Sequence, residues 1–191
     1  MLFINGDLKM AEFKKEYTIQ NVVASADLHG NVPLEKVSRT LPNTEYNPEQ
    51  FPGLVLKIPE KKITSLVFST GKIVCTGTKS EEQVERAINA IKKELLKVKG
   101  IKFEGKPEYE IQNVVASGDI GVRLNLVDLA FKLKTAEYEP EQFPGLVYKV
   151  PESHITFLLF GTGKIVCTGA KNEKEISKAI DELIVTIKGV M

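Results

Sequence analysis

Along residues 17–27 the side chains alternate, with Ile19, Asn21, Val23 and Ser25 on one face and Gln20, Val22 and Ala24 on the other, which is the period of a β-strand. Residues 33–41 change to helical spacing: Leu34, Val37 and Leu41 share one side, and Pro33 suits a first helical position, so a short helix is expected. GLVLKIP, ITSLVFS and GKIVCTGT are β-branched runs punctuated by proline or glycine. They predict three consecutive antiparallel strands turning near Pro59 to Lys61 and at Thr70 to Gly71. SEEQVERAINAIKKELLKVK then opens with serine and a glutamate at capping-box spacing and carries Val84, Ala87, Ile88, Ile91 and Leu95 in one apolar stripe. That pattern predicts a long amphipathic helix.

The same series then occurs a second time. YTIQNVVASADL from Tyr17 recurs as YEIQNVVASGDI from Tyr109, EYNPEQFPGLVLKIPE from Glu45 as EYEPEQFPGLVYKVPE from Glu137, and ITSLVFSTGKIVCTGTK from Ile63 as ITFLLFGTGKIVCTGAK from Ile155. Every recurrence is displaced by 92 residues, and about half of the aligned positions are identical without a gap. The expected organisation is an N-terminal extension over 1–16, one repeat over 17–99 and another over 109–191, with Ile176, Ala179, Ile180 and Leu183 repeating the helical stripe. Two copies are too few for a solenoid, and a pseudo-two-fold arrangement is the economical alternative.

The strands are apolar on both faces. In GKIVCTG, Ile73 and Cys75 can lie beneath a helix, whereas Lys72, Val74 and Thr76 point the other way. Two helices per repeat leave nothing to cover that second face, where Val23, Val55, Leu66, Phe68 and Val74 fall. An uncovered apolar face of this extent marks a binding surface. Packing two such sheets face to face would also cover it, although Asn21, Lys57, Lys72 and Thr76 would then be buried without partners.

Composition changes this picture only in part. With 26 basic and 25 acidic residues the formal net charge is +1, which does not announce a nucleic-acid binder. A DNA ligand would have to be held by local positive charge and apolar contact. Two cysteines, Cys75 and Cys167, make no disulfide framework and have no neighbour at zinc-ligand spacing. No apolar run is long enough to span a membrane, and the opening segment is too polar for a signal peptide, so an intracellular protein is expected. His29 and His154 do not correspond between repeats, and no nucleophile constellation, phosphate loop or metal cluster suggests an enzyme or a cofactor.

IQNVVAS, EYxPEQFPGLV and TGKIVCTGxK, each present twice, closely resemble the core of TATA-box-binding proteins of the archaeal type. The resemblance covers essentially residues 17–191. It implies an α+β fold: a pseudo-two-fold saddle of two repeats, with a curved antiparallel sheet and helices on the convex face. It also implies a general transcription factor that binds the minor groove of TATA-box promoter DNA, kinks it, and nucleates assembly with transcription factor B and RNA polymerase in the cytoplasm, at the nucleoid of an archaeal cell. The family is itself a standing example of minor-groove kinking, so the mechanism comes with the resemblance.

Carried over by motif, Phe51, Phe68, Phe143 and Phe160 resemble the intercalating rings, the two in each repeat lying 17 residues apart. Asn21 and Asn113 resemble the donors to minor-groove acceptors, with Thr76 and Thr168 beside them and Val23, Val115, Val74, Val166, Leu66 and Leu158 as the apolar floor. An amide donor among valines suits A·T pairs, whose minor groove offers only acceptors, whereas guanine adds an amino group. Lys57, Lys72, Lys79, Lys149, Lys164 and Lys171 resemble phosphate contacts. Glu49 and Gln50 stand where eukaryotic members carry basic residues. Glu137, Glu139 and Glu141 resemble the contact for factor B. The competing reading is a nucleic-acid-binding accessory domain of the same fold serving repair or RNA processing.

Overall fold

The computed structural model describes residues 12–191. Residues 1–11, Met10 among them, lie outside the described residues. Ten strands and four helices follow in order: β1 (Glu16–Asp27), α1 (Leu34–Thr40), β2 (Thr44–Glu45), β3 (Leu54–Ile58), β4 (Ile63–Val67), β5 (Lys72–Thr78), α2 (Glu81–Leu95), β6 (Glu108–Asp119), α3 (Leu126–Lys132), β7 (Ala136–Glu137), β8 (Leu146–Lys149), β9 (Thr156–Leu159), β10 (Lys164–Ala170) and α4 (Glu173–Val190). A single 3-10 turn, Pro59–Lys61, joins β3 to β4.

These elements form two compact units, one of residues 19–115 with 170–173, the other of 12–18, 116–169 and 174–191. The units are drawn differently from the sequence repeats, because the opening residues of β1 group with the second repeat and those of β6 with the first. In the first unit the strands run in the order β2-β3-β4-β5-β1. Leu54 to Ile58 face Val67 to Ile63 residue for residue, and Thr64 to Val67 face Thr76 to Ile73, all antiparallel. The other unit repeats this as β6-β10-β9-β8-β7. Because the register is antiparallel, Leu54, Leu56, Ile58, Ile63, Val67, Ile73 and Cys75 share one buried face. Helix α2 packs on β5 there, burying Val84, Ala87, Ile88, Ile91 and Leu95.

The helix ends differ in detail from the sequence expectation. Pro33 is the N-cap of α1 and not its first residue: at φ −76° and ψ 88° it stands outside the helix while its carbonyl accepts from Val37 N–H. The capping box of α2 is also different. Ser80 accepts from Gln83 N–H at 3.3 Å, and the Gln83 side chain, not a glutamate, returns to accept from Lys79 N–H at 2.9 Å. Two orphan donors are satisfied by this pair. Ser80→Ala is therefore expected to cost about 1 kcal/mol in a urea melt, with the native spectrum unchanged.

Glycine is required where turns meet neighbouring backbone. Gly71 and Gly163 have φ of +83° and +92°, and a Cβ there would lie 2.0 Å from Gly30 O and 2.2 Å from Val122 O. No side chain fits, so the β4–β5 and β9–β10 turns stay locked against the chain that follows β1 and β6.

Candidate nucleic-acid interface

The open face of each strand layer is half-exposed. Val23, Val55, Leu66 and Val74 are neither buried nor fully open, as are Val115, Leu158 and Val166 in the second copy. A sandwich would have buried them. Each copy also holds an open concavity beside this face. One, of about 750 Å³, is lined by Pro52, Phe68, Lys72 and Val74 together with Ser25 and Asp27, and the start of β6 closes it. The other, of about 740 Å³, repeats it with Pro144, Phe160, Lys164, Val166, Ser117 and Asp119, closed by the start of β1.

The two phenylalanines of each repeat, 17 residues apart in sequence, meet in the fold. Phe51 and Phe68 meet edge to face with ring centroids 5.9 Å apart and planes at 64°, and Phe143 and Phe160 do so at 5.9 Å and 67°. Phe51 and Phe143 are 40% and 39% exposed, which is high for a large apolar ring. What seats them is glycine. A Cβ on Gly53 would fall 2.6 Å from the Phe51 ring and 3.1 Å from that of Phe68, and one on Gly145 would fall 2.6 Å from Phe143 and 3.0 Å from Phe160. The PEQFPG loop thus needs its last residue bare so that the ring two residues before it can fold over it. The PEQ turn itself is tied by Gln50 N–H and Phe51 N–H donating to Asn47 O, and by Gln142 and Phe143 donating to Glu139 O.

Asn21 is held in a defined orientation. Its Oδ1 accepts from Gly77 N–H at 2.9 Å, and its Nδ2 lies 2.8 Å from the Thr76 hydroxyl. With the carbonyl oxygen committed to backbone, the amide nitrogen is the side left to present a further hydrogen. Thr76, Asn113 and Thr168 are half-buried on the same kind of strand face.

The six lysines fall into three pairs. Lys72 and Lys164 are exposed beside the concavities. Lys79 is exposed, and its counterpart Lys171 donates to Gln112 Oε1 at 3.1 Å, while Gln112 Nε2 donates to Ser25 at 2.7 Å. Lys57 and Lys149 are ion-paired instead, to Glu45 at 2.5 Å and Glu137 at 3.0 Å. Sequence reading had placed Lys149 and Glu137 in separate contacts, one for phosphate and one for factor B, and the fold joins them. The cause is the two-residue strand β7, which pairs Glu137 opposite Val147, two residues from Lys149 on the next strand. Glu139 and Glu141 are exposed.

Sequence reading missed the acidic groups beside the concavities. Asp27, Glu108 and Glu110 line one, and Asp119 and Glu16 line the other, with Thr18 in the place of Glu110. The displacement between the repeats, applied to both sides of the strand layer, would have exposed this pairing. Among the described residues no group of His, Cys, Asp and Glu is arranged to hold a metal ion, and no helix is long and apolar enough to cross a membrane. His29 and His154 are exposed, and His29 takes φ +56°. Cys75 and Cys167 are buried and unbridged; desolvation raises both thiols, that of Cys167 to about 12, so neither is a nucleophile at neutral pH.

The comparisons with known proteins agree with this geometry. The family model described as "Transcription factor TFIID (or TATA-binding protein, TBP)" matches residues 16–98 and again 108–190. The TATA-box-binding protein of Methanocaldococcus jannaschii is 46% identical over 181 residues, covering 95% of this chain and 98% of the relative. That of Pyrobaculum calidifontis is 46% identical over 172 residues, covering 90% and 86%. A solved structure titled "Methanococcus jannaschii TBP" superposes with a TM-score of 0.84 at 47% identity, covering 92% of this chain and 99% of that one. A duplicated strand layer with one open apolar face, a family model that matches twice and a solved relative that superposes over nearly the whole chain lead to one statement: the chain belongs to the TATA-box-binding protein family.

Proposed function

We propose that this chain is a general transcription factor that binds the minor groove of TATA-box promoter DNA through the open strand face, kinks it with its phenylalanine pairs, and recruits transcription factor B and RNA polymerase. The carrying observation is the repeated apolar face with an edge-to-face aromatic pair at each PEQFPG loop, the loop ring of each pair being exposed. Minor-groove proteins of this kind, this family among them, insert apolar wedges between base steps and bend the duplex, which brings more protein surface into contact. The repeats 17–99 and 109–191 each supply one wedge. Val23, Val55, Leu66, Val74 and their counterparts form a floor that guanine's amino group would disturb, with Asn21 and Asn113 donating to adenine N3 or thymine O2.

Lys72, Lys79, Lys164 and Lys171 are the phosphate contacts in this reading, and Lys57 and Lys149 contribute less because each already has a carboxylate. The factor B contact rests on Glu139 and Glu141 more than on Glu137, which Lys149 occupies. The two loops are alike in PEQFPG, so the energies of the two orientations on an A·T tract differ only through unlike contacts. A difference below about 1.4 kcal/mol gives less than a tenfold bias. Direction then comes from factor B.

A gel shift comparing a TATA duplex with its G·C-substituted twin tests the central claim, and equal binding to both would overturn it. Adding factor B tests the partner. Glu139→Lys with Glu141→Lys is expected to leave the binary complex intact and abolish the ternary one.

A further inference from the structure

We propose that the outward face of α3, formed by Val127 and Phe131, is a docking surface for an acidic protein segment with an apolar anchor. Phe131 is 87% exposed and Val127 57% exposed, and the two stand one helical turn apart on one side of the helix. The first repeat shows what a solvated version of this position looks like. There the equivalent residues are Glu35 and Arg39, an ion pair across the same helical turn at 3.7 Å with side chains 75% and 81% exposed. Burial demands nothing apolar at these positions in either copy, since the core side of α3 is already supplied by Leu126 and Leu129. The second repeat has replaced a charged pair with two apolar side chains facing water, and a contact is what such a pair serves.

Charge decides the occupant. Arg123 and Lys134 flank α3 in sequence, both exposed and both without an ion pair among the described residues, where the first repeat has Asn31 and Pro42. Lys132 is committed to Asp128 at 2.8 Å and to Val190 O at 2.6 Å. The apolar pair and the free positive charge therefore arrived in the same copy, and together they fit carboxylates set around an apolar side chain. A second copy of the chain fits less well. It would bring the same positive charges together, and one phenylalanine with one valine cover far less than the roughly 1,000 Å² total of a stable interface. Residues 1–11 carry Asp7 and Lys9, which cancel and leave no charge to match. The surface makes no use of the strand face, so it stands or falls apart from the DNA reading.

The probe is a labelled 16-residue amphipathic peptide with leucines at helical spacing and glutamate elsewhere, set against a twin with lysine for glutamate. Fluorescence anisotropy is read on the natural protein and on Val127→Glu with Phe131→Arg, which installs the first repeat's ion pair and keeps the helix. The natural protein is expected to bind the acidic peptide at least tenfold more tightly than the basic one. The double variant should lose at least tenfold, with its melting temperature and its TATA-duplex binding unchanged. Arg123→Glu with Lys134→Glu should invert the preference between peptides. Equal affinity for both peptides, or undiminished binding by the double variant, overturns the proposal. So does self-association that the double variant abolishes, which would make a second copy the occupant. Tighter peptide binding after removal of residues 1–11 would assign the face to that segment and overturn it equally.

Discussion

Phe143→Ala combined with Phe160→Ala is expected to lengthen the end-to-end distance of a dye-labelled TATA duplex in the complex and to weaken binding by roughly thirtyfold or more. Contact between a base and an aromatic ring is worth about 1–3 kcal/mol by alanine substitution, and two rings acting as one wedge put the loss near or above 2 kcal/mol. Unstacking a base step costs a few kcal/mol, a cost met only while the rings hold the step open. Without them the duplex recovers its stacking and straightens locally. Phe143 is 39% exposed, so its truncation opens no sealed cavity, and the melting temperature should move far less than the affinity. The preference for a flexible TA step at that end should weaken together with the bend. Gly145→Ala is the companion experiment: its Cβ would meet the Phe143 ring at 2.6 Å, so both rings remain in composition but cannot take their seat. A duplex bent as much by the double alanine variant as by the natural protein would remove the wedge from the mechanism.

The second large effect concerns selectivity. Asn21→Ala is expected to lower the ratio of affinities for TATA over a G·C-substituted site by about 1–3 kcal/mol, or roughly 5- to 150-fold. Alanine alone does not separate a base-reading role from a structural one, because Asn21 also accepts from Gly77 N–H at 2.9 Å. Asn21→Asp separates them. A carboxylate keeps that acceptor and the Thr76 contact but has no amide hydrogen, and it turns a negative charge toward groove acceptors. If the donor is what matters, the aspartate variant keeps its melting temperature and binds TATA worse than the alanine variant. If the backbone contact is what matters, aspartate behaves like the natural residue and alanine alone is impaired.

How much of this was legible in the sequence depended on whether a feature recurs along the chain or only across it. The face of β5 was readable because Ile73 and Cys75 alternate with Val74 and Thr76, and seven residues are enough for a period of two to declare itself. The meeting of Phe51 with Phe68 was readable because an exposed loop tip and a strand end recur at one spacing in both repeats. The Lys57–Glu45 and Lys149–Glu137 pairs were not. They depend on β2 and β7, each two residues long, which have no periodicity to detect, and on a register that only the folded ladder supplies. Gln83 in the α2 cap was misread for a simpler reason: with Glu81, Glu82 and Gln83 consecutive, composition points to glutamate while the geometry selects the third residue. Phe131 could have been singled out by subtracting one repeat from the other, since shared periodicity marks the core and the difference marks what each copy does alone.

The carboxylates that hold Lys57 and Lys149 also govern how binding should respond to ionic strength. Each phosphate neutralised by a free lysine returns condensed cations to solution, and the logarithm of the binding constant falls by about 0.9 per phosphate for each decade of salt. A lysine that leaves Glu45 or Glu137 for a phosphate exposes one anion as it covers another, so the cations freed from the duplex are taken up again at the protein. Six lysines acting freely would give a slope of about −5.4, and withholding Lys57 and Lys149 makes it shallower by about 1.8. Exchanging Glu45 and Glu137 for glutamine should steepen the slope toward the larger figure without adding a basic residue.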